Sequence, residues 1–240
     1  MPQDHIVRAY DEELKYLSRR VAAMGGQAER LVDRAVTALV KSDMRLAAEV
    51  IKDDAVLDDA QRDIDEKAIV LIARRQPLAD DLREIIGAIR ISADLERVGD
   101  LGKNLAKRVA PVSEVRQPVS LFRGLQGLSE LALTQLKDVL DIYATRAIGR
   151  IALTRDRDGE IDAMYTSLFR ELLTYMMEDP RNISPCTHLL FCAKNIERIG
   201  DHATNIVETI HYMVTGEVMP PEREKTDTSH KVVAEVPARS

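Results

Sequence analysis

The chain has no tryptophan and only three phenylalanines and six tyrosines among 240 residues, so it is poor in the aromatic residues that β-strands favour. Residues that favour helices, such as alanine, leucine and glutamate, are common instead. No run of about 18 apolar residues occurs, so we expect no membrane-spanning helix. The opening residues, Met-Pro-Gln-Asp-His, are not those of a signal peptide, and we therefore expect a cytoplasmic protein.

Cysteine is also scarce, and the acidic residues, 40 in number, exceed the 34 lysines and arginines. Cys186 and Cys192 are the only cysteines, and their spacing matches no zinc motif and places them on different faces of one predicted helix. We expect them to be core residues without a disulfide bond. The net charge of −6 argues against a nucleic-acid partner, because phosphate contacts need clustered Lys and Arg.

One segment occurs twice. Residues 95–100 read Leu-Glu-Arg-Val-Gly-Asp, here called the first signature, and residues 196–201 read Ile-Glu-Arg-Ile-Gly-Asp, the second signature. The correspondence continues four positions further on, where Asn104 matches Asn205. A repeat of this kind indicates one structural unit occurring twice, so the two halves should share a fold and any chemistry that the signature carries.

Breakers and capping residues divide the chain into six long helical stretches. The first half contains stretches at about 4–41, 43–75 and 77–110. In the second half, one stretch follows Pro118 and ends between 141 and 149, the next ends near 177, and the last runs from about 182 to 216. We predict an all-α fold of two similar three-helix bundles in tandem, 1–112 and 113–216, followed by a flexible tail at 217–240. Gly25 and Gly26 predict a close approach of a neighbouring helix, or a local kink.

Each signature carries two acids four residues apart, which places them side by side on a helix. Glu96 and Asp100 form the first pair, and Glu197 and Asp201 form the second. On a helical wheel the apolar signature residues gather on the opposite side, so these carboxylates should project along an edge, away from the main local core. His202 points about 100° away from Asp201 and is not counted among the candidate ligands.

The preceding helix of each half carries a similar pair, in line with its apolar stripe. These pairs are Asp54 with Asp58, and Asp158 with Asp162. Each half could therefore bring four carboxylates together between two antiparallel helices. Because such charges repel and lose hydration, a bound multivalent cation would offset the cost. Several acidic pairs arise by chance, and Arg62, Arg97 and Arg198 could instead neutralise the acids in ordinary salt bridges.

The two signatures and the following asparagines resemble the signature of the PhoU family of phosphate-signalling regulators, as do the stretches 76–83 and 195–206. The resemblance covers about residues 5–215. It implies an all-α fold of two three-helix bundles, with multinuclear iron or zinc sites at the acidic pairs. The residues implied are Asp54, Asp58, Glu96, Asp100, Asp158, Asp162, Glu197 and Asp201.

The family resemblance also implies negative control of the phosphate-starvation response. The implied partners are the ATPase of the phosphate transporter and the sensor histidine kinase, with membrane contact only through these partners. Long amphipathic helices further favour a homodimer.

The halves differ beyond their signatures, because Gly102-Lys103 stands where the second half has Ala203-Thr204. Lys103 adds a cation near the first site, so equal metal occupancy of the two halves is not expected.

Two other functions remain open. The acids could serve only salt bridges in a metal-free helical scaffold or adaptor. A di-iron carboxylate enzyme is the catalytic alternative, but it needs two Glu-x-x-His motifs, and Glu208 with His211 provides only one. No nucleophile motif or phosphate-cradling glycine loop is present, so we expect a protein that is not an enzyme.

Overall fold

A computed structural model describes residues 2–114 and 119–219. These residues form eight α-helices and two single-turn 3₁₀ helices at 148–150 and 180–182, and no strand occurs in the described ranges. The α-helices are α1 (Pro2–Lys41), α2 (Met44–Asp53), α3 (Ala55–Arg75), α4 (Ala79–Lys107), α5 (Val109–Ser113), α6 (Val119–Thr145), α7 (Ile151–Glu178) and α8 (Ile183–Thr215). None of the described helices contains an apolar stretch long enough to cross a membrane.

The long helices form two bundles of three rods each, which confirms the predicted fold class. The first bundle contains α1, α4 and a rod made of α2 followed by α3, and the second contains α6, α7 and α8. Within each bundle every rod packs against the other two. Of the predicted tail, residues 220–240 lie outside the described residues, as do the residues at 115–118 before α6.

Capping residues set several of the predicted ends. Asp43 caps α2, because its side chain accepts a hydrogen bond from the backbone N–H of Leu46 at 2.9 Å. Gln76 adopts a left-handed backbone conformation, with φ of 48°, and ends α3. Gly216 does the same after α8, with φ of 74°, which glycine accommodates without strain.

Two helix boundaries differ from the sequence prediction. The second stretch is interrupted at Asp54, although the φ and ψ of that residue, −56° and −35°, stay helical, so the chain passes from α2 to α3 without a loop. The third stretch ends at Lys107, and the short helix α5 then continues through Pro111. Proline fits there because it lies in the first turn of α5, where its missing N–H would have no helical partner.

The two bundles share one continuous apolar core. Helix α4 packs along α8, and α1 packs against α6, so the bundles lie side by side. Gly87 on α4 faces the Met213 side chain of α8, leaving no room for a Cβ atom. Cys186 and Cys192 are buried and unpaired, which confirms the expectation that they are core residues.

Only one of the two adjacent glycines of α1 lies at a close helix contact. A Cβ atom at Gly25 would overlap the Leu140 side chain of α6, whereas one at Gly26 would meet the end of the flexible Arg30 side chain at 3.3 Å. The predicted close approach is therefore confirmed for Gly25.

This difference predicts that one substitution has different effects on stability at the two neighbouring positions. Gly25→Leu should lower the free energy of unfolding by about 1–3 kcal/mol, because the new side chain must enter the packed contact between α1 and α6. Gly26→Leu should leave stability unchanged or raise it by up to about 1 kcal/mol, through higher helix propensity at a half-exposed position. Urea unfolding followed by circular dichroism measures both. Equal destabilisation by the two variants would contradict the contact.

Candidate metal centres

The eight acids predicted as metal ligands lie on the two helices that pack together in each half. In the first half Asp54 stands at the junction of α2 and α3, Asp58 lies on α3, and the signature acids lie on α4. In the second half Asp158 and Asp162 lie on α7 and the signature acids on α8. We call these groups the first acid cluster (Asp54, Asp58, Glu96, Asp100) and the second acid cluster (Asp158, Asp162, Glu197, Asp201).

The signature glycine brings the two helices of each half together. A Cβ atom at Gly99 would overlap the side chain of Leu57, which lies between Asp54 and Asp58 in the sequence. A Cβ atom at Gly200 would lie 3.0 Å from Cδ1 of Ile161, which occupies the same place in the second half. Because only glycine leaves this space, the acids on either side of each contact are held next to the acids of the signature.

In the first acid cluster, Lys103 joins acids from both helices. Its Nζ donates a hydrogen bond to Oδ1 of Asp100 at 2.8 Å and another to Oδ2 of Asp54. Asp54 is buried, with 3% of its surface exposed. A buried carboxylate needs a hydrogen-bonded positive partner, and the ammonium of Lys103 provides one. The two carboxylates in turn raise the pKa of Lys103, so the ammonium keeps its proton.

Glu96 completes the negative side of the first acid cluster. Burial raises the pKa of its carboxyl group, and the negative charges of Asp100, Asp58 and Asp54 raise that pKa further. Arg97 opposes the effect from the protein surface, with its guanidinium 3.5 Å from both signature carboxylates. Of the three arginines considered as neutralising partners, Arg97 contacts the cluster, whereas Arg62 pairs with Asp59.

The second acid cluster has a threonine in place of the lysine. Thr204 donates a hydrogen bond from Oγ1 to Oδ1 of Asp158 at 3.2 Å, again linking the two helices. The same hydroxyl accepts a hydrogen bond from Nε2 of Gln135 on α6 at 3.2 Å, and that amide also donates to the backbone carbonyl of Thr154 at 3.1 Å. A third helix thus holds the threonine in place.

Glu197 is the most deeply placed signature acid, with 3% of its surface exposed. Burial raises the pKa of its carboxyl group, and the charges of Asp201 and Asp162 raise it as well. Lys194 opposes them, with Nζ 2.7 Å from Oε2 of Glu197, but this lysine side chain is 41% exposed. The expectation that the signature acids point away from the core along an edge is therefore wrong for Glu197. Asp54 and Asp162, which were predicted to lie in line with an apolar stripe, are buried, as that prediction requires.

His202 turns away from the second acid cluster and contacts the other half. Its Nδ1 lies 2.8 Å from Oδ1 of Asp94 on α4, and Nδ2 of Asn205 donates to the same oxygen at 3.4 Å. The ring of His202 therefore contacts α4 of the first half, on a different side of α8 from Asp201, as the helical wheel predicts. Sequence reasoning missed the supporting roles of Gln135 and Lys194, for which a single helical sequence gives no signal.

The donor type suits a hard or borderline cation, because each acid cluster consists of carboxylates carried by two packed helices. In the described ranges, however, no group of three or more His, Cys, Asp or Glu side chains is arranged to hold a metal ion. A bound cation would therefore have to draw the carboxylates of the two helices closer together. In the second acid cluster the residue at the position of Lys103, Thr204, is uncharged.

The sequence model of one protein family, the PhoU domain, matches this chain twice, at residues 21–109 and 125–210. Each match contains one signature and one acid cluster. The chain belongs to the PhoU family.

Relatives within the PhoU family match nearly the whole chain. A "Phosphate-specific transport system accessory protein PhoU homolog" from Rhizobium meliloti (strain 1021) is 67% identical, over 95% of this chain and 96% of its own length. The homolog of the same name from Caulobacter vibrioides (strain NA1000 / CB15N) is 48% identical, over 93% and 97%. The crystal structure of PhoU from Pseudomonas aeruginosa has a TM-score of 0.83 and 35% identity, covering 87% of this chain and 100% of that one.

The environment of Glu197 predicts a pH-dependent effect on stability. The raised pKa means that the folded state binds the proton more tightly than the unfolded chain, so ionisation costs stability as the pH rises above the ordinary glutamate pKa of 4.5. In chelator, Glu197→Gln should therefore raise the free energy of unfolding at neutral pH, and the gain should vanish as the pH falls to the ordinary glutamate pKa of 4.5. Urea unfolding at the two pH values measures this, with Glu208→Gln on the same helix as the control. A destabilised Glu197→Gln variant at neutral pH would show that the carboxylate is well satisfied.

Proposed function

We propose that this chain is a non-enzymatic, metal-binding regulator of phosphate homeostasis that acts as an accessory protein of a phosphate-specific transport system. The observation that carries the proposal is the double match to the PhoU domain, together with relatives named for that role over almost their full length. The acid clusters support the metal-binding part, because each half carries four acids on the two helices that meet at a signature glycine.

The metal would be iron or zinc, held by the carboxylates of two helices. In the second half the ligands would be Asp158, Asp162, Glu197 and Asp201, and in the first half Asp54, Asp58, Glu96 and Asp100. When bound, the cation supplies positive charge that offsets the repulsion between the carboxylates and ties the two helices together. The chain's own contribution is to hold the acids close through the signature glycines and to keep Thr204 hydrogen-bonded to Asp158.

The proposed regulation is negative: the protein restrains phosphate uptake and the phosphate-starvation response when phosphate is plentiful. We propose two partners, the ATPase subunit of the transporter and the sensor histidine kinase of the response. The first is supported by the relatives, which are named as accessory proteins of a phosphate-specific transport system. Affinity purification from phosphate-replete cells, followed by mass spectrometry, would identify whether either protein accompanies the chain.

We further propose a homodimer. Large apolar side chains remain exposed on the rods, among them Val56, Ile69 and Phe191, each at least 50% exposed. Association of two chains would cover such side chains. Light scattering after gel filtration gives the mass directly, and a mass of one chain at micromolar concentration would contradict the dimer.

The metal-binding part predicts the sign of one substitution. Asp201→Asn keeps the shape of the side chain but removes a negative ligand, so metal affinity should fall. The stabilisation that metal lends to the fold should fall with it, by up to about 3 kcal/mol when metal greatly exceeds its Kd. If the acids only repel one another, the same change should raise the melting temperature.

Thermal unfolding in saturating zinc, and again in chelator, decides between these outcomes. The advantage of the wild-type protein should appear in zinc and disappear in chelator. Asp156→Asn, at an exposed position of α7, serves as the matched control and should behave like wild type in both conditions. A higher melting temperature for Asp201→Asn in zinc would mean that this carboxylate is not a ligand.

The regulatory part predicts a phenotype. Deletion of the gene, with the transporter intact, should leave phosphate-responsive genes expressed in plentiful phosphate, because the restraint is lost. Reporter expression from one such promoter measures this, with the wild-type gene restored on a plasmid as the control. Normal repression in the deletion strain would remove the regulatory assignment.

A further inference from the structure

A groove runs along the seam between α1 and α3 in the first half. Its volume is about 440 Å³, and we call it the basic groove, defined by Tyr16, Arg19, Lys67, Val70, Leu71 and Arg74. Helix α4 also packs against both α1 and α3, so the basic groove lies on the side of their seam that α4 leaves open. None of these residues belongs to an acid cluster.

The middle of the basic groove is apolar and held in place. Val70 is 43% exposed and Tyr16 is 36% exposed, whereas Leu71 is buried. The Tyr16 ring is fixed because its hydroxyl donates a hydrogen bond to Oδ2 of Asp63 at 3.0 Å, and Nε of Arg20 donates to the same oxygen at 2.7 Å. A partner that covers this surface would gain apolar contact without first having to order the tyrosine.

Two cations of the basic groove are available to a partner. Lys67 and Arg74 lie seven residues apart on α3, so they are separated by about 10.5 Å along the helix, with Val70 between them. In the ranges that the structure describes, neither cationic side chain takes part in a hydrogen bond or a close ion pair. Glu13, which also lines the groove, instead accepts two hydrogen bonds from Arg75, at 2.9 and 3.1 Å.

The other acid that lines the groove, Glu12, also lies beside cations of its own helix. Its Oε1 accepts a hydrogen bond from Nζ of Lys15 at 3.2 Å, and its Oε2 lies 3.8 Å from the guanidinium of Arg19. Both groove acids are thus matched by cations of the chain itself. The charges of Lys67 and Arg74 are left to face whatever occupies the groove.

The second half carries the opposite charge at the corresponding positions. An offset of 104 residues relates the acidic pairs of the two halves. At this offset the two groove cations of α3 are replaced on α7 by Glu171 and Glu178, and Thr174 replaces the valine. The hydroxyl of Tyr175, at the position of the groove leucine, lies 3.4 Å from Oγ of Ser120 on α6. The basic groove therefore belongs to the first half alone, and the shared fold does not require its charge.

We propose that the basic groove docks an acidic amphipathic helix of a partner protein. Two carboxylates of that helix, seven residues apart, would face Lys67 and Arg74. Apolar side chains three and four residues after the first carboxylate would cover Tyr16 and Val70. A helix in this seam would pack against α1 and α3 as α4 does from the other side. Because no acid-cluster residue lines the groove, docking is independent of metal binding.

Charge decides which kind of helix the groove accepts. Carboxylates facing the two cations of α3 would be attracted, whereas basic side chains at the same places would set like charges against each other. The chain as a whole has a net charge of −6, so an acidic partner is repelled by most of its surface. The basic groove concentrates the attraction for such a partner at one place.

The test uses the full-length chain and two synthetic helical peptides that carry a fluorescent label. Both peptides have leucines three and four residues after each charged residue, and alanine and glutamine elsewhere to favour a helix. The acidic peptide has glutamates seven residues apart, and the basic peptide has lysines at the same places. Fluorescence anisotropy should show that wild type binds the acidic peptide at least about tenfold more tightly than the basic one.

Reversal of the groove charge should reverse this preference. Lys67→Glu combined with Arg74→Glu should bind the basic peptide more tightly than the acidic one. Arg45→Glu combined with Lys52→Glu on α2 is the matched control, because it makes the same change of charge, at the same spacing, at exposed positions. The control should keep the wild-type preference.

A further variant separates docking from general attraction between charges. Val70→Ser should weaken binding of the acidic peptide about threefold, because the groove loses apolar contact while its charge is unchanged. Thermal unfolding followed by circular dichroism guards against loss of folding, and each of these surface variants should melt as wild type does. Peptide binding should also be the same in zinc and in chelator.

Several results would overturn the proposal. One is that wild type binds neither peptide, or binds both equally well. A second is that charge reversal lowers the mass measured by light scattering, because the groove would then join two copies of this chain. A third is binding to phosphatidylglycerol vesicles, lost on charge reversal, without binding of the acidic peptide, which would make the groove a lipid site. Failure of the chain to bind zinc would remove the proposed metal binding and leave the docking site intact.

Discussion

The close contact at the signature glycines is the constraint on which both acid clusters depend. At Gly99 and Gly200 a helix carrying one acidic pair lies so near its neighbour that a Cβ atom would displace Leu57 or press on Ile161. Helices that meet through larger side chains stay farther apart, and carboxylates on them would be separated by water. Because glycine has no side chain at this point, the two helices of each half pack closely and bring their acids together. The repulsion between these acids must then be offset by other groups in each half. The two halves do this with different side chains.

Much of the architecture could be predicted from the sequence because it depends on local signals. A few neighbouring residues are enough to predict the cap at Asp43, the helix end at Gly216 and the close contact at Gly25. The repeated signature then predicts the number of bundles, because a duplicated segment indicates two copies of the same three-helix unit. The break at Asp54 could not be predicted, because the backbone there stays helical and no breaker residue marks it.

The sequence predicted which acids form the candidate site, but not how deeply they are buried or which side chains surround them. A helical wheel shows which face of a helix is apolar, but not which helix lies over the opposite edge. For that reason the wheel predicted an edge position for Glu197, whereas its side chain is buried in the fold. The role of Gln135 was invisible for a related cause. Gln135 donates a hydrogen bond to Thr204, which is far away in the sequence, and the residues around position 135 give no sign of that contact.

The packing between the bundles has a consequence for how the halves could diverge. Corresponding helices meet one another, α4 with α8 and α1 with α6, and this is the self-complementary pairing of a two-fold symmetric assembly. In an assembly of identical subunits every substitution appears at both equivalent positions. Here a covalent link joins two pseudo-equivalent subunits into one gene product, so lysine at 103 and threonine at 204 can coexist across the pseudo-dyad.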